Sequence, residues 1–292
     1  MWYTNEFDDY ELLDASDGER LERWKDILLI RPDPQVIWQG VRTHPAWKKA
    51  NAHYTRSSSG GGRWDFHNVD ETLWNEGWTI TRKGMTFRVK PTSFKHTGVF
   101  PEQAANWDFI TERVKSAGRP VSVLNLFAYT GGATLAAAKA GASVCHVDAS
   151  KGIVAWAKEN AALSGLSDAP IRYIVDDCKK FLEREIRRGH VYDAIIMDPP
   201  SYGRGPGGEV WKLEDGLDGL IALAAALLSP DALFFSVNSY TTGLSARTVG
   251  YLLELRVKNG RGGQVDCAEL GIPVTQTGAF LPAGSSARWI AK

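Results

Sequence analysis

Residues 120–132 read PVSVLNLFAYTGG, and residues 133–140 continue as ATLAAAKA. The apolar first half predicts a buried strand, the glycine pair predicts a tight turn, and the alanine-rich continuation predicts a helix. In open α/β sheets, a strand that runs through a glycine turn into a helix holds nucleotide-like ligands at the carboxyl end of the strand. The stretch therefore predicts an α/β fold with a ligand-binding edge near residues 128–132.

The rest of the chain after about residue 104 alternates between strand and helix patterns, which is typical of a doubly wound, mostly parallel sheet. Seven strands are predicted, near residues 121–127, 143–148, 171–175, 191–198, 233–239, 264–269 and 286–291. Helices are predicted over residues 133–140, 152–164, 178–188, about 214–228 and 245–258. We assign residues 104–292 to this α/β domain.

Residues 1–103 are predicted to form a smaller, β-rich domain, because eight of the 11 tryptophans fall within the first 107 residues. We expect most of these tryptophans to form its core, and stacking on unpaired bases is the alternative. A substrate-binding role for this domain is a further hypothesis. Residues 57–62, which are serines followed by glycines, predict a flexible loop. Strands are predicted at 27–30, 78–81 and 85–89, with a hairpin turn over 82–84.

Composition excludes several classes of protein. The chain has 292 residues, a formal net charge of zero and only 3 cysteines. The cysteines are widely spaced and form no CxxC or HExxH pattern, which argues against a disulfide framework and against a metal site. The N-terminus lacks a signal-peptide pattern, and the longest apolar run, residues 220–228, is too short to span a membrane. We expect a cytoplasmic protein with no metal and no membrane partner.

One segment departs from this neutral balance of charge. Residues 81–100 contain five lysines and arginines and no acid. Such a stretch can follow the backbone of RNA or DNA, and it can equally be the solvated face of a β-hairpin. Both interpretations stay open at this point.

Acidic residues follow two further predicted strands, at the edge where the glycine turn lies. Asp148 closes the strand 143–148, where a carboxylate can accept both hydroxyls of a ribose. Asp177 follows the strand 171–175, where a carboxylate can accept an adenine amino group while the Cys178 backbone amide meets the ring. Capping of the next helix is the structural alternative for each acid. The sequence contains neither a P-loop nor, at the glycine turn, the GxGxxG pattern of dinucleotide sites.

These motifs resemble the class I S-adenosylmethionine-dependent methyltransferases, particularly the bacterial group that includes 23S ribosomal RNA methyltransferases acting on cytosine C5 or guanine N7. The resemblance rests on residues 125–132, Asp148, Asp176-Asp177 and the sequence Asp198-Pro199-Pro200, and it covers roughly residues 90–292. It implies a Rossmann-like methyltransferase sheet and S-adenosylmethionine as cofactor. Residues 94–103 are similar to the segment that touches the methionine end of the cofactor in this group. The residues predicted for the cofactor pocket are Phe100, Gln103, Asn125, Phe127, Tyr129, Thr130, Gly131, Gly132, Asp148, Ala149, Asp177, Cys178 and Asp198.

The residues after the fourth strand favour a nitrogen as the methyl acceptor. Methylation at C5 of a pyrimidine needs a cysteine nucleophile, and neither residues 198–201 nor residues 236–239 contain one. A nitrogen needs no covalent step, because Asp198 and the Pro199 carbonyl can accept its hydrogens while Tyr202 stacks on the acceptor. The structural alternative is that the two prolines end a strand and Tyr202 packs under the next loop.

The leading hypothesis is therefore a methyltransferase that modifies a base nitrogen of RNA by direct in-line transfer, and the resemblance implies that this RNA is ribosomal. Residues 203–212, rich in glycine, predict a mobile segment that closes over a substrate, with Arg204 and Lys212 on phosphates and Trp211 over a base, or an ordinary surface loop. Four alternatives stay open: a small-molecule or protein acceptor, C5 chemistry with a displaced nucleophile, a non-catalytic RNA-binding module and a nicotinamide-dependent oxidoreductase. Self-association as a homo-oligomer also stays open.

Overall fold

The computed structural model describes residues 1–4, 6–57, 61–67, 69–204, 210–241 and 243–292. The chain divides into two compact units. The N-terminal unit contains residues 3–104 and 271–283, and the α/β unit contains residues 1–2, 105–270 and 284–292. The sequence predicted a single boundary between residues 103 and 104. The structure departs from that division at residues 271–283, which belong to the N-terminal unit although they lie near the end of the chain.

The N-terminal unit contains a five-stranded sheet with the order β1-β2-β3-β4-β5. Its strands are β1 (Tyr10–Ser16), β2 (Glu19–Trp24), β3 (Ile27–Pro32), β4 (Ala52–Arg56) and β5 (Gly62–Phe66). Neighbouring strands are antiparallel except for β3 and β4, which are parallel and are connected through a 3-10 helix at Pro45–Lys49. The predicted loop at residues 57–62 includes residues 58–60, which lie outside the described residues.

A short helix, α1 (Glu71–Glu76), precedes the predicted hairpin of β6 (Trp78–Arg82) and β7 (Met85–Val89). Its two-residue turn is Lys83-Gly84, with φ angles of 47° and 73°. Hairpin turns of this length favour positive φ at both residues, and glycine adopts it without strain. Tryptophans fill much of the core of this unit, as expected: Trp24, Trp47, Trp74 and Trp78 are buried, whereas Trp38 is 42% exposed.

The α/β unit contains the seven-stranded sheet that the sequence predicts, with the order β10-β9-β8-β11-β14-β16-β15. Its strands are β8 (Ser122–Leu126), β9 (Ser143–Asp148), β10 (Ile171–Val175), β11 (Ala194–Met197), β14 (Phe234–Ser239), β15 (Gln264–Pro273) and β16 (Phe280–Ile290). The first five of these strands in the sheet are parallel, and β16 is antiparallel to β14. The doubly wound α/β prediction is therefore confirmed.

Helices cover both faces of this sheet. They are α2 (Ala104–Ser116), α3 (Gly132–Lys139), α4 (Lys151–Leu163), α5 (Cys178–Arg188), α6 (Leu213–Ala225) and α7 (Ala246–Leu253). Two short strands, β12 (Tyr202–Arg204) and β13 (Val210–Lys212), form a hairpin before α6. Alternate residues of β8 separate the two cores, because Leu124 packs with the cluster that includes α5, α6 and α7, and Val123 packs with α2 and α3.

The strand order reverses direction at β8, which has β9 on one side and β11 on the other. In open α/β sheets, ligands bind beyond the carboxyl ends of the strands at such a reversal. The loops that follow β8, β9, β10 and β11 therefore form the candidate ligand-binding edge. Within the described ranges, no helix is both long enough and apolar enough to cross a membrane.

Candidate functional site at the carboxyl edge of the sheet

The loop after β8 has an unusual backbone. Phe127 and Tyr129 have φ angles of 54° and 49°, in the left-handed region that non-glycine residues adopt at a cost of about 1 kcal/mol or more. Two neighbouring elements stabilise this conformation. The Phe127 N–H donates to the Cys178 sulfur (3.4 Å), and the Ala128 N–H donates to the Val147 carbonyl (3.1 Å). The loop is therefore held by bonds to β9 and to the first residue of α5.

Two glycines end this loop, and each position favours glycine for a different structural reason. Gly131 has φ 93° and is the N-cap of α3, with no side-chain hydrogen bond to the helix. The first N–H groups of α3 thus have no side-chain acceptor, which is the arrangement that receives an anionic ligand group. Gly132 lies against Trp107 of α2, because a Cβ at this position would be 2.3 Å from the indole ring. A larger residue at position 132 would push α2 and α3 apart.

Asp148, at the end of β9, connects two loops at the edge. Its carboxylate accepts hydrogen bonds from the Tyr129 N–H (3.0 Å) and the Ser150 N–H (2.9 Å). Burial raises the pKa of Asp148, and the two backbone N–H bonds oppose that rise. Each carboxylate oxygen has a further lone pair, so the group can accept hydroxyls while it holds the loop. The neighbouring residue, Ala149, is exposed.

The residues after β10 take part in the same edge. The Asp176 N–H donates to the Asp148 carbonyl (3.1 Å), and the Asp176 carboxylate forms an ion pair with Arg184 (2.6 Å). Asp177 is exposed and caps α5, since one of its oxygens accepts the Lys180 N–H (2.9 Å). The capping alternative is thus observed, and it leaves the second oxygen of Asp177 for a ligand.

The side chain of Asn125 lies away from this edge. It is buried in the interior, where its amide donates to the Thr134 hydroxyl (2.9 Å), which is 2.9 Å from a ring nitrogen of His146. Burial lowers the pKa of His146 to about 3, so the imidazole is neutral. This chain of three buried polar groups connects β8, α3 and β9. Asn125 therefore positions the glycine-loop helix, whereas a direct contact with a ligand stays a prediction.

Asp198 lies beside the glycine loop. Its backbone N–H donates to the Leu126 carbonyl of the adjacent strand (3.4 Å), so the turn after β11 begins next to the loop after β8. Pro199 is buried and Pro200 is exposed. Tyr202 is 53% exposed, which excludes the alternative that it packs under the next loop. The arrangement places an acid, a rigid proline carbonyl and an exposed aromatic ring on one short segment.

Comparison with known proteins agrees with this geometry. A family model described as S-adenosylmethionine-dependent methyltransferase matches residues 39–241, more than half of the chain. The chain belongs to the S-adenosylmethionine-dependent methyltransferase family. This result confirms the resemblance that the sequence motifs indicate, and it makes S-adenosylmethionine the cofactor.

Solved structures and curated relatives extend the comparison. The crystal structure of an S-adenosylmethionine-dependent methyltransferase from Agrobacterium tumefaciens is similar over 100% of this chain and 93% of that one, with 40% identity and a TM-score of 0.91. A methyltransferase structure from Streptococcus mutans covers 98% of this chain and 76% of its own, with 17% identity and a TM-score of 0.71, and supports the fold alone.

Among curated proteins, the ribosomal RNA large subunit methyltransferase K/L of Shewanella sp. (strain MR-4) is 32% identical over 188 residues, which is 61% of this chain and 25% of that protein. The same enzyme of Shewanella oneidensis is 34% identical over 187 residues, 61% of this chain and 24% of that protein. The methyltransferase chain thus spans about a quarter of the length of these relatives.

The mobility predicted for residues 203–212 stays a prediction, because the structure describes only the two ends of this segment. Residues 205–209 of the methyltransferase lie outside the described residues, but the flanking β12 and β13 pair as a hairpin. Trp211 donates its indole N–H to the Pro200 carbonyl (2.7 Å), and its ring lies on Gly216, where a Cβ would be 2.2 Å away. Trp211 therefore connects the proline turn to α6. These contacts favour a structural role for Trp211 over the predicted role of covering a base.

Three supporting residues escaped the sequence analysis. Asn160 of α4 is fully buried and donates to the Thr130 carbonyl (2.9 Å), so it holds the glycine loop from below. Thr134 and Trp107 support the same loop through the contacts described above. The sequence contained a signal for Asn160, because it is a polar residue on a helix face whose other buried residues are apolar, namely Val154, Ala157 and Ala161.

The cysteines of the methyltransferase offer no nucleophile at this edge. Cys145 and Cys178 are buried, and burial raises the pKa of both thiols. Cys267 lies on β15, where it packs against Gly250 of α7. Phe100 and Gln103, predicted for the methionine end of the cofactor, belong to the N-terminal unit, where Gln103 is buried and Phe100 contacts the His96 ring (5.2 Å). Their contact with the cofactor stays a prediction.

Proposed function

We propose that this methyltransferase transfers the methyl group of S-adenosylmethionine to a nitrogen atom of a base in ribosomal RNA. The observation that carries the proposal is the bond from the Asp198 N–H to the Leu126 carbonyl (3.4 Å), which keeps the Asp198-Pro199-Pro200 turn beside the glycine loop. An acid and a rigid carbonyl next to that loop suit an acceptor whose hydrogens they can accept. The curated relatives, which are named for ribosomal RNA, support this class of substrate.

The bound cofactor supplies an activated methyl group on a sulfonium. We assign the ribose hydroxyls to the Asp148 carboxylate, the amino-acid end to the loop Tyr129–Gly132, and the adenine to Asp177 with the Cys178 backbone amide. The uncapped N–H groups at the start of α3 favour a carboxylate in their vicinity. The left-handed backbone at Tyr129 supports the assignment, because strain of this kind clusters at ligand sites.

Asp198 and the Pro199 carbonyl would accept the hydrogens of the acceptor nitrogen and so keep its lone pair directed at the methyl carbon. The exposed ring of Tyr202 would stack on the planar base. Transfer is then a single in-line displacement with no covalent enzyme intermediate. Buried thiols with raised pKa values favour this route over C5 chemistry, which needs a thiolate. An rRNA acceptor would place the reaction in the cytoplasm.

The test is methyl transfer from tritium-labelled S-adenosylmethionine to total RNA of cells that lack the gene, followed by mass mapping of the labelled fragments. We expect Asp198→Ala to abolish transfer and to leave cofactor affinity within about threefold of the wild type. Asp148→Ala should weaken cofactor binding by tenfold or more, since charge-assisted hydrogen bonds contribute roughly 1.5–3 kcal/mol. Asp168→Ala is the matched control, because Asp168 is exposed and precedes β10 at the opposite edge of the sheet.

Two results would contradict the proposal. Label that enters protein or a small molecule, with RNA unlabelled, would assign another acceptor. Equal loss of cofactor binding in Asp198→Ala and Asp148→Ala would refute the separation of acceptor and cofactor roles. A modified carbon in the mapped nucleotide would reject a nitrogen acceptor and leave rRNA methylation in place.

A further inference from the structure

We propose that the N-terminal unit holds a phosphodiester of the RNA substrate in a basic cleft formed by Lys48, Lys49, Asn51 and His67. The proposal rests on the proposed function, because it names a second contact of the same RNA. The cleft contains none of the residues assigned to the cofactor or to the acceptor. The cleft has a volume of about 400 Å³.

The cleft lies between the 3-10 helix Pro45–Lys49, the strands β3 and β4, and His67, which follows β5. Its floor is apolar, since Ile30 and Trp47 are both buried there. Its walls are Lys48, Lys49, Ala50, Asn51, His53 and His67. No acid lines the cleft, so every charged group that the lining can present is positive. A concave site with cationic walls focuses an electric field that attracts anions.

The two lysines are exposed at the end of the 3-10 helix. Among the described residues, no hydrogen bond or ion pair uses either ammonium group. Each lysine therefore keeps three N–H donors for a ligand. An exposed lysine is usually an ordinary solvated side chain. The groups that surround Lys48 and Lys49 distinguish this pair from such lysines.

Two acids on the adjoining elements are paired with cations. Glu19 of β2 pairs with Arg42 (2.8 Å) and His53 (2.5 Å), and Asp65 of β5 pairs with Arg63 (3.2 Å). A third acid near the floor, Asp14, is buried and accepts the Trp47 indole N–H (2.8 Å), which carries no charge. The positive charge is therefore that of the lining itself, where the two lysines are exposed and no acid lies.

Asn51 adds a donor of fixed direction. Its side-chain oxygen accepts the Leu28 N–H (2.8 Å), and its backbone bonds to Leu28 and to the His67 N–H, each at 2.8 Å. The oxygen of the amide is thereby engaged, and the NH₂ group is the part left for a ligand. A fixed amide NH₂ beside two ammonium groups is a set of donors, and phosphate oxygens are acceptors only.

The basic segment that the sequence singled out, residues 81–100, does not provide this charge. Arg82 is buried and donates to the Thr4 hydroxyl (3.2 Å), and Lys95 donates to the Pro32 carbonyl (3.1 Å). Arg88 donates to the Glu76 carbonyl (3.1 Å). These cations are used within the unit, so the unpaired lysines of the cleft are the better candidates for contact with an RNA backbone.

The experiment measures binding of the full chain to 23S ribosomal RNA from cells that lack the gene, by filter binding between 50 and 200 mM salt. Lys48→Ala/Lys49→Ala should weaken binding about tenfold and reduce the slope of log affinity against log salt by roughly 0.7, as expected when one phosphate of a single strand is no longer neutralised. Asn51→Asp keeps the acceptor for the Leu28 N–H and replaces the NH₂ with a carboxylate oxygen, so we expect it to weaken binding as well. Cofactor affinity should not change in either variant.

The matched control is Lys115→Ala/Lys139→Ala, which removes two exposed lysines from the last turns of α2 and α3. The proposed role of the cleft would be wrong if Lys48→Ala/Lys49→Ala kept the wild-type affinity and salt slope. It would also be wrong if the control lost as much RNA affinity as this variant. If the wild type methylates RNA and the cleft variants bind as it does, only the cleft is rejected. If the wild type neither methylates nor binds RNA, the proposed function itself fails, and the cleft with it.

Discussion

In the proposed site, two side chains at the sheet edge each combine a structural role with a ligand-binding role. Asp148 holds the backbone of the glycine loop and Asp177 caps α5. Each carboxylate has further lone pairs that a ligand can use. This double use explains why capping and ligand binding could not be separated from the sequence. A carboxylate that accepts backbone N–H bonds is already oriented before the cofactor arrives, so less conformational entropy is lost when the cofactor binds.

Cofactor binding should depend on pH through Asp148. Because burial raises the pKa of this carboxyl, protonation removes the acceptor at a higher pH than it would for an ordinary aspartate. We expect the affinity for S-adenosylmethionine to fall as pH is lowered through that raised pKa, and Asp148→Asn to bind weakly with no such dependence. Isothermal titration calorimetry from pH 4 to pH 8 measures both.

Asp168→Asn serves as the control for this series, since it changes an exposed acid at the far edge and should follow the wild-type curve. A wild-type affinity that stays constant over the whole range, or a parallel decline in Asp148→Asn, would show that another group is responsible.

Among the elements, the connection from β11 to α6 contains a contact that the sequence did not indicate. The described ends of the segment form a hairpin, and Trp211 contacts both the proline turn and Gly216. The Leu213 N–H also donates to the Ser201 carbonyl (3.1 Å). The start of α6 therefore determines where the Asp198-Pro199-Pro200 turn lies.

Trp211→Phe tests this positioning role. Phenylalanine retains a ring on Gly216 and loses the N–H bond to the Pro200 carbonyl, so the turn can shift relative to the glycine loop. We expect kcat to fall about tenfold, because displacements of about 1 Å are costly in catalysis. Cofactor affinity should stay unchanged, and steady-state methyl-transfer kinetics with thermal unfolding separates this effect from loss of stability.

Trp38→Phe is the matched control, because Trp38 also donates its indole N–H to a backbone carbonyl, that of Ala15, at 2.7 Å. It should leave kcat unchanged. If Trp211→Phe has the kcat of the wild type, the indole bond plays no part in placing the turn.

The molecule as a whole contains a cluster of buried charges that a neutral composition does not reveal. In the N-terminal unit, Glu22 is fully buried and bonds to Arg31 (2.5 and 2.7 Å), Arg20 (3.3 Å) and the Tyr10 hydroxyl (2.8 Å). Burial alone would raise the pKa of Glu22, but the two arginines lower it to about 2. Burial raises the pKa of Glu102 in the same unit to about 7.

These two carboxyls should make the free energy of unfolding depend on pH in opposite ways. Glu22, with its lowered pKa, stabilises the fold above about pH 4.5, and that contribution is lost as pH falls from there towards 2. Glu102, with its raised pKa, makes the fold less stable as pH rises from about 4.5 to 7. Glu22→Gln should cost roughly 3–5 kcal/mol at pH 7, since it removes the buried carboxylate that pairs with Arg31 and leaves Arg20 with Asp33 alone.

Glu102→Gln is the complementary variant, and we expect it to gain stability relative to the wild type at pH 8 and to gain none at pH 4. Urea unfolding of the full chain at pH 4, 6 and 8 measures both variants. A stability of Glu22→Gln equal to that of the wild type at pH 7, or a gain in Glu102→Gln that does not grow with pH, would contradict these assignments.

Local pattern alone determined the α/β unit of this protein: its parallel strands, the helices between them, the glycine turn at residues 128–132 and the acids at the strand ends. Each of these features depends on a few adjacent residues. The spacing of apolar residues differs between strands and helices, and glycine adopts backbone conformations that tight turns require. The hairpin β6–β7 was predictable for the same reason.

Only the tertiary structure decided the rest. The strands β1 and β2 were missed because they bury charged residues such as Arg20 and Glu22, whose partner Arg31 lies on the next strand and cannot be read from local hydrophobicity. The inward direction of Asn125, the anchoring by Trp211 and the basic cleft likewise depend on residues far apart in the chain. Such contacts form between residues that are distant in the sequence and meet only when the chain packs, so the sequence pattern around either residue does not reveal them.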